Sequence, residues 1–351
     1  MAREGSVKHI HNAKSNKNDE FYTILSDIER ELKHYKNHFR NKIVYCNCDE
    51  PYESNFFKFF AANFINFGLK KIIVTSYGGS PIIGSQLPLF KIRGIRGKEP
   101  IRIEINKVDD YNKDGSIDLS DVQLLLERDA NTTAPLKQGG DFRSNECIEL
   151  LKKADIVVTN PPFSLFREYV NQLISYNKKF LIIGNWNAIS YKEIFKLIME
   201  NRIWIGINSN RNFSGFIVPK HYPLHGTEAR IDENGNRIIS SNNTCWFTNL
   251  DIDKRHEKLI LYKKYNKADY SKFDNYDAIN VNAIKDIPSD YKGTIGVPIT
   301  FMNIYNPDQF KIVGQMATTK VDEFNHGYPY INGKKIYARI LIKNKEVKNE
   351  S

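Results

Sequence analysis

The chain has 351 residues, 41% of them hydrophobic, which suffices for one large α/β domain and a smaller one. Its formal net charge of +10 favours a polyanionic partner, nucleic acid first. No apolar run approaches the length of a membrane-spanning helix, and the four cysteines, Cys46, Cys48, Cys147 and Cys245, form no Cys-x-x-Cys pair; with no apolar signal segment at the N-terminus, a reducing cytoplasm is expected.

Residues 1–17 are polar and basic, with Arg3, Lys8, Lys14 and Lys17. They read either as a solvated tail or as an arm touching phosphate. Phe21, Tyr22 and Thr23 break that polarity. Ile28, Leu32 and Tyr35 share one face at helical spacing, which predicts a helix over Asp27–Phe39. Lys42–Cys48 is predicted as the first buried strand, closed by the acidic turn Asp49–Ser54, and Asn55–Leu69 as a helix. Strand, turn and helix make half of a Rossmann-like unit, and the helix N-terminus favours a negative group nearby. Cys46 and Cys48 lie on one side of the strand and read as packing residues. A second strand is predicted over Lys70–Tyr77; no acidic residue follows it directly to hold ribose hydroxyls. Gly78–Pro100 reads as loop, and the alternation over Ile101–Val108 predicts a strand.

Residues 110–121 carry oxygen side chains at loop positions 1, 3, 5, 9 and 12, namely Asp110, Asn112, Asp114, Asp118 and Asp121, with Gly115 at position 6. That is the spacing of an EF-hand calcium loop, with Asp121 where Glu is usual. Val122–Arg128 supplies an exiting helix, and no clear entering helix precedes the loop. A structural calcium site and a polar surface insertion of Asx and Gly turns both remain open.

Gly139-Gly140-Asp141-Phe142-Arg143 leads into a helix over Ser144–Lys153, where Asp141 can cap the helix. Asp155–Thr159 is a short apolar run, as in a parallel strand buried on both faces. It runs straight into Asn160-Pro161-Pro162-Phe163. Two prolines donate no ladder hydrogen bond and Pro161 turns Asn160 away from helix, so the strand must stop there. An amide, a carbonyl and an aromatic face are left at the strand's C-terminal end, the edge where open α/β sheets bind ligands. The Asn160 amide oxygen and the Pro161 carbonyl can accept both hydrogens of an exocyclic amine. Phe163 offers a stacking face for a base.

A helix over Leu165–Tyr176, a strand over Lys179–Gly184, a helix over Tyr191–Glu200 and a strand over Ile203–Ile207 continue the alternation of a doubly wound parallel sheet. Residues 213–249 change texture: Glu233-Asn-Gly-Asn236 signals a hairpin, and Cys245–Asn249 reads as a strand. Asp251–Ser351 interleaves Lys and Arg with Tyr and Phe, the composition of a nucleic-acid recognition region. The expected division is therefore 1–250 and 251–351, with 110–121 as an insertion. His34/His38 and His221/His225 sit four apart without a third ligand and read as solvated.

Asn160–Phe163 resembles the (Asn/Asp/Ser)-Pro-Pro-(Tyr/Phe) motif of amino-methyltransferases. With it, in order, stand Asp19–Thr23, Tyr45–Asp49, Gly140–Arg143, Ile156–Phe166, Ser214–Pro219, Gly226–Arg230, Tyr276–Val281 and Gly296–Phe301. Together they resemble the EcoRI family of adenine-specific DNA methyltransferases over nearly the whole chain. The resemblance implies a Rossmann-like class I methyltransferase sheet with helices on both faces, plus a smaller mixed C-terminal DNA-recognition region. It implies methyl transfer from S-adenosylmethionine to N6 of an adenine flipped out of duplex DNA. Asn160, Pro161, Pro162 and Phe163 would be catalytic. Phe21, Tyr22 and Thr23 would cover the methionine end of the cofactor, and Asp49 and Pro51 would form the first cofactor turn. The usual Asp-Pro-x-x-Gly-x-Gly of that turn has lost its glycines in this chain. Asp141, with Phe142 beside it, would take the cofactor's adenine amine. No metal is needed for catalysis. The resemblance also implies a restriction endonuclease acting on the same site without a stable complex, and suggests GAATTC as that site. Two other classes stay open: the same chemistry on RNA or on a protein glutamine, and a non-catalytic DNA binder. The net charge favours DNA, and the intact Asn160–Phe163 motif argues against the latter.

Overall fold

A computed structural model describes residues 22–48, 54–78, 100–128, 133–209, 212–218, 222, 224, 229–239 and 243–347. The chain divides into two compact units, Met1–Asn185 with Asn208–Leu250, and Trp186–Ile207 with Asp251–Ser351.

The first unit holds β1 (Tyr22–Thr23), β2 (Ile43–Cys46), β3 (Lys71–Thr75), β4 (Ile101–Ile105), β5 (Thr133–Pro135), β6 (Ile156–Thr159) and β7 (Lys179–Asn185). The division falls inside β8 (Trp204–Ser209), after Ile207; β9 (Phe216–Val218), β10 (Arg230–Ile231), β11 (Arg237–Ile239) and β12 (Thr244–Thr248) return to the first unit. Its main sheet runs in the order β5-β4-β3-β2-β6-β7-β12. The four central strands β3, β2, β6 and β7 are parallel, whereas β4, β5 and β12 pair antiparallel. The sheet is thus mixed, not wholly parallel. Residue patterns show why. Ile156-Val-Val-Thr159 is buried at every position, as a central parallel strand requires. Ile101-Arg-Ile-Glu-Ile105 alternates buried and half-buried, and Glu104 reaches the Lys71 ammonium on β3 at 2.8 Å. A small second sheet orders β1-β9-β11-β10, and the expected hairpin is the β10–β11 turn.

Two helices differ from expectation. The helix predicted over Asp27–Phe39 is broken: Leu25–Leu32 is α-helical, Lys33–Tyr35 is a 3-10 turn and Lys36–Phe39 resumes. Its buried face includes two acids, Asp27 and Glu31. The helix predicted to reach Leu69 is capped by Ser54, whose hydroxyl accepts from Phe56 N and Phe57 N, and ends at Ala62. Asn63 leaves helical geometry and its side-chain amide bonds back to the Phe59 carbonyl at 2.9 Å.

The second unit contains β13 (Ile279–Asn280), β14 (Ile295–Pro298), β15 (Phe310–Met316), β16 (Tyr330–Ile331), β17 (Lys334–Lys335) and β18 (Arg339–Asn344). Four of them form a sheet in the order β13-β14-β18-β15, with an irregularity between Ile312 and Gly314. β16 and β17 form a separate two-stranded hairpin.

Candidate active site

The C-terminal ends of β2, β3 and β6 converge on one edge. β6 ends in Asn160, half-buried, and Pro161, buried. Pro162 is extended (φ −54°, ψ 125°), and its carbonyl accepts from Leu165 N at 3.0 Å, closing a 3-10 turn over Phe163–Leu165. The helix Phe166–Ser175 follows.

Asn47, buried after β2, ties this edge together. The Thr159 hydroxyl donates to its backbone carbonyl, and the Tyr169 hydroxyl donates to its side-chain Oδ1. Burial raises the Tyr169 phenol well above its usual range, so it stays a neutral donor. The Tyr169 ring meets Phe142 edge-on at 5.1 Å, and Gln172 Nε2 donates to the Phe142 carbonyl at 3.1 Å. Gly140 takes φ +73° with its Cα pressed on the Ser76 carbonyl just past β3, so a Cβ there would collide with it. The Gly-Asp-Phe segment is thereby anchored at the same edge as Asn160.

Asp141 is already engaged. Arg143 Nε reaches Oδ1 at 2.9 Å, Arg143 Nη2 reaches Oδ2 at 2.7 Å, and Arg143 N caps Oδ1 at 2.8 Å. The Arg143 hydrogen bonds hold the carboxyl below its ordinary range. The helix that follows is capped by Ser144, whose hydroxyl accepts from Cys147 N at 3.2 Å.

The residues expected at the cofactor's methionine end reach Phe163 through the small sheet. Tyr22 pairs with Ile217 and Thr23 with Phe216. The Phe216 ring lies 6.1 Å from the Phe163 ring at 71°, edge to face. Phe213 packs 6.5 Å from Phe216 and stacks on Trp246 at 6.1 Å, extending an aromatic wall. Asn55 Nδ2, in the first turn of its helix, donates to the Thr23 carbonyl at 2.7 Å. The Thr23 hydroxyl is buried and has no hydrogen-bond partner among the described residues. A buried hydroxyl of this kind suits a polar ligand group. Phe21, Asp49 and Pro51 lie outside the described residues.

Two contributors escaped the sequence reading. Asp27 accepts from Ser214 N and from the Ser214 hydroxyl, both at 2.8 Å. Glu31 accepts from Asn208 N at 2.8 Å and from Asn208 Nδ2 at 2.9 Å. Two acids on the buried face of an apparently ordinary amphipathic helix were the available signal.

The 110–121 loop spends its carboxylates on its own backbone. Asp121 accepts from Tyr111 N, Asn112 N and Asp118 N at 2.6, 3.1 and 3.0 Å. Asp110 accepts from Asp114 N and Gly115 N at 3.2 and 3.0 Å, and Asp114 accepts from the Ser116 hydroxyl at 2.7 Å. Among the described residues no group of three or more His, Cys, Asp or Glu is arranged to hold a metal ion. These contacts are Asx-type turns within the loop. Among the described residues, too, no helix is long and apolar enough to cross a membrane.

Comparison with known proteins gives a consistent pattern. A family model described as adenine-specific methyltransferase EcoRI matches residues 9–345. The chain is 52% identical to Type II methyltransferase M.EcoRI of Escherichia coli, covering 99% of each chain. It is 38% identical to Type II methyltransferase M.MgeORF184P of Mycoplasma genitalium, over 97% of this chain and 100% of that one. It is 34% identical to Type II methyltransferase M.MpnI of Mycoplasma pneumoniae, over 97% of this chain and 99% of that one. No solved structure matches the chain.

Proposed function

The chain belongs to the EcoRI family of adenine-specific methyltransferases, and from that premise we propose how its residues divide the work of methylating adenine in DNA. It is an adenine-specific Type II DNA methyltransferase, the modification activity of a restriction–modification pair. The family implies S-adenosylmethionine, which supplies an electrophilic methyl group when bound.

The Asn160 amide oxygen and the Pro161 carbonyl accept the two N–H bonds of the target adenine's N6 amine. That holds the amine and raises electron density on its nitrogen. Pro161 and Pro162 keep the strand from continuing, so these acceptors are not consumed by a ladder. Phe163 stacks on the base once it has left the duplex. Much of the rate comes from positioning. When the cofactor is bound, Tyr22 and Thr23 would hold its methionine end, the role also assigned to Phe21, and Asp49 and Pro51 would serve its first turn. Asp141, with Phe142, would take the cofactor's adenine amine, sharing a carboxylate that Arg143 already holds. A Rossmann-like class I arrangement is supported by the parallel order β3-β2-β6-β7.

One observation carries the reading: Thr23 is register partner to Phe216, whose ring packs edge-on against Phe163. The segment expected at the cofactor and the segment expected at the base are thus one strand pairing apart.

The basic, aromatic-rich region 251–351 is the region that meets duplex DNA, and GAATTC is the site it selects. A restriction endonuclease shares that site without forming a stable complex. A structural calcium at 110–121 rests on ligand spacing alone, and its carboxylates would have to exchange their backbone hydrogen bonds for the ion. Thermal unfolding with and without calcium tests it through ligand linkage. The test of the function is transfer of label from S-adenosylmethionine to duplex DNA, RNA and protein in parallel. Label is expected in adenine of duplex DNA alone; label in RNA or protein only would overturn the assignment. Sequencing the modified adenines identifies the site.

A further inference from the structure

The second unit carries a short hairpin whose construction exceeds what a surface turn needs. β16 and β17 pair antiparallel, Tyr330 with Lys335 and Ile331 with Lys334. The two-residue turn between them is Asn332-Gly333, with φ 50° and 72°, the left-handed pair that a type I′ hairpin turn requires. Asp274 clips the tip: its Oδ1 accepts from Asn332 N at 3.0 Å and its Oδ2 from Gly333 N at 2.8 Å. Asp274 N donates to the Tyr330 carbonyl at 2.8 Å, and Ile336 N to the Pro329 carbonyl at 3.0 Å. Ile331 and Ile336 root the ribbon on a core of Phe273, Ala278, Met316 and Leu341. The tip is thus rigid and fixed to a core.

What it presents outward is polar and cationic. Asn332, Gly333, Lys334 and Lys335 are all exposed, and Tyr337 is 77% exposed. Some lysines of the unit are partnered by acids, Lys258 with Glu346, Lys263 with Asp286 and Lys272 with Asp277 within 2.8 Å, while others, such as Lys285, Lys311 and Lys343, have no ion pair among the described residues. Among the described residues neither Lys334 nor Lys335 has an acidic partner; Lys335 Nζ instead sits 3.1 Å over the Tyr328 ring. That contact orients the ammonium and leaves its charge intact. A rigid ribbon whose second strand carries two cations beside an exposed turn amide is matched to a polyanion with readable edges.

We propose that the Tyr330–Lys335 hairpin is a two-stranded ribbon that enters the major groove of the DNA substrate, with Lys334 and Lys335 on phosphates and the Asn332 amide on a base edge. The major groove admits a two-stranded β-ribbon, and an Asn amide matches the N6 and N7 edge of adenine. Phosphate contacts set register while the amide carries sequence. The proposal rests on the reading of region 251–351 as DNA-facing and assigns a specificity residue within it.

The test measures binding of the full-length protein to a duplex carrying the site it methylates and to the same duplex with that site scrambled, across a salt series. In the double variant Lys334→Ala/Lys335→Ala, both duplexes should bind more weakly, and the slope of log affinity against log salt should become shallower by about 1.8. Asn332→Gly keeps the left-handed turn and removes only the amide; discrimination between the duplexes should fall at least about fivefold, with scrambled-site binding unchanged. All substitutions lie at exposed positions, and thermal unfolding confirms that the variants fold. Either an unchanged salt slope or unchanged discrimination overturns the groove ribbon. Salt-independent binding by the parent protein overturns the DNA reading of the whole region, and the ribbon with it.

Discussion

Asp27 and Ser214 are joined by two hydrogen bonds of 2.8 Å, one from the Ser214 amide and one from its hydroxyl, to a carboxylate that is 2% exposed. Ser214 stands two residues before Phe216, so this buried acid fixes the start of β9, and β9 fixes both Thr23 and the ring against Phe163. Gly215 between them takes φ +121°, and a Cβ there would run into the Ile239 carbonyl at 2.5 Å.

The clamp should be sensitive to which atoms are removed. Asp27→Ala leaves the Ser214 donors unsatisfied and should cost about 3 kcal/mol. Burial raises the Asp27 carboxyl above its ordinary value, so at neutral pH the charged form is held at a desolvation cost. Asp27→Asn keeps an acceptor and sheds that cost, and should lose about 1 kcal/mol. Thermal unfolding of the two variants is the check; equal losses would show that the clamp is not what matters at this position.

Two adjacent glycines with the same left-handed backbone should behave differently. Gly139 faces open space, so Gly139→Ala should cost about 1 kcal/mol of backbone strain. Gly140 abuts the Ser76 carbonyl, so Gly140→Ala should cost about 3 kcal/mol or more and displace Asp141. Unfolding and S-adenosylmethionine titration of both variants are the measurement. Similar effects would remove the argument that close packing anchors the Gly-Asp-Phe segment.

Much of the site was legible because its signals are local. The run Ile156–Thr159 is wholly β-branched and is followed by two prolines, so the strand, its burial and its stopping point are written in consecutive residues. The Thr23–Phe216 pairing is a register between distant segments, and no local pattern specifies it. The acids Asp27 and Glu31 were masked by the helical periodicity around them, since their partners Ser214 and Asn208 lie far along the chain. The helix after Ser54 ends before the apolar texture does: Phe64 and Phe67 continue that texture past Asn63, where the backbone leaves helical geometry. In the 110–121 loop the oxygen spacing matches a calcium loop, and the same oxygens serve as Asx-turn acceptors, so spacing alone does not separate the two.

His256 should titrate above its usual value near 6.5, raised by hydrogen bonds to Asp308 at 3.0 Å and Asp251 at 2.9 Å. A folded pKa above the unfolded one means the stabilisation is complete below pH about 6.5 and fades as pH rises through the folded pKa. Imidazole titration by NMR should show the raised value, and His256→Gln should flatten this part of the pH dependence of stability. A midpoint at or below the ordinary value would contradict the two-carboxylate clamp.

The division of labour at Asn160–Phe163 is tested most directly by single-turnover methylation of Asn160→Ala, with cofactor affinity measured on the same sample. The substitution deletes one amine acceptor and leaves the Pro161 carbonyl, β6, Thr23 and Asp141 in place. Losing a positioned hydrogen bond to the reacting group should slow methyl transfer on the order of a hundredfold, with S-adenosylmethionine binding near that of the parent. Methyl transfer at the parent rate would show that Asn160 only ends a strand.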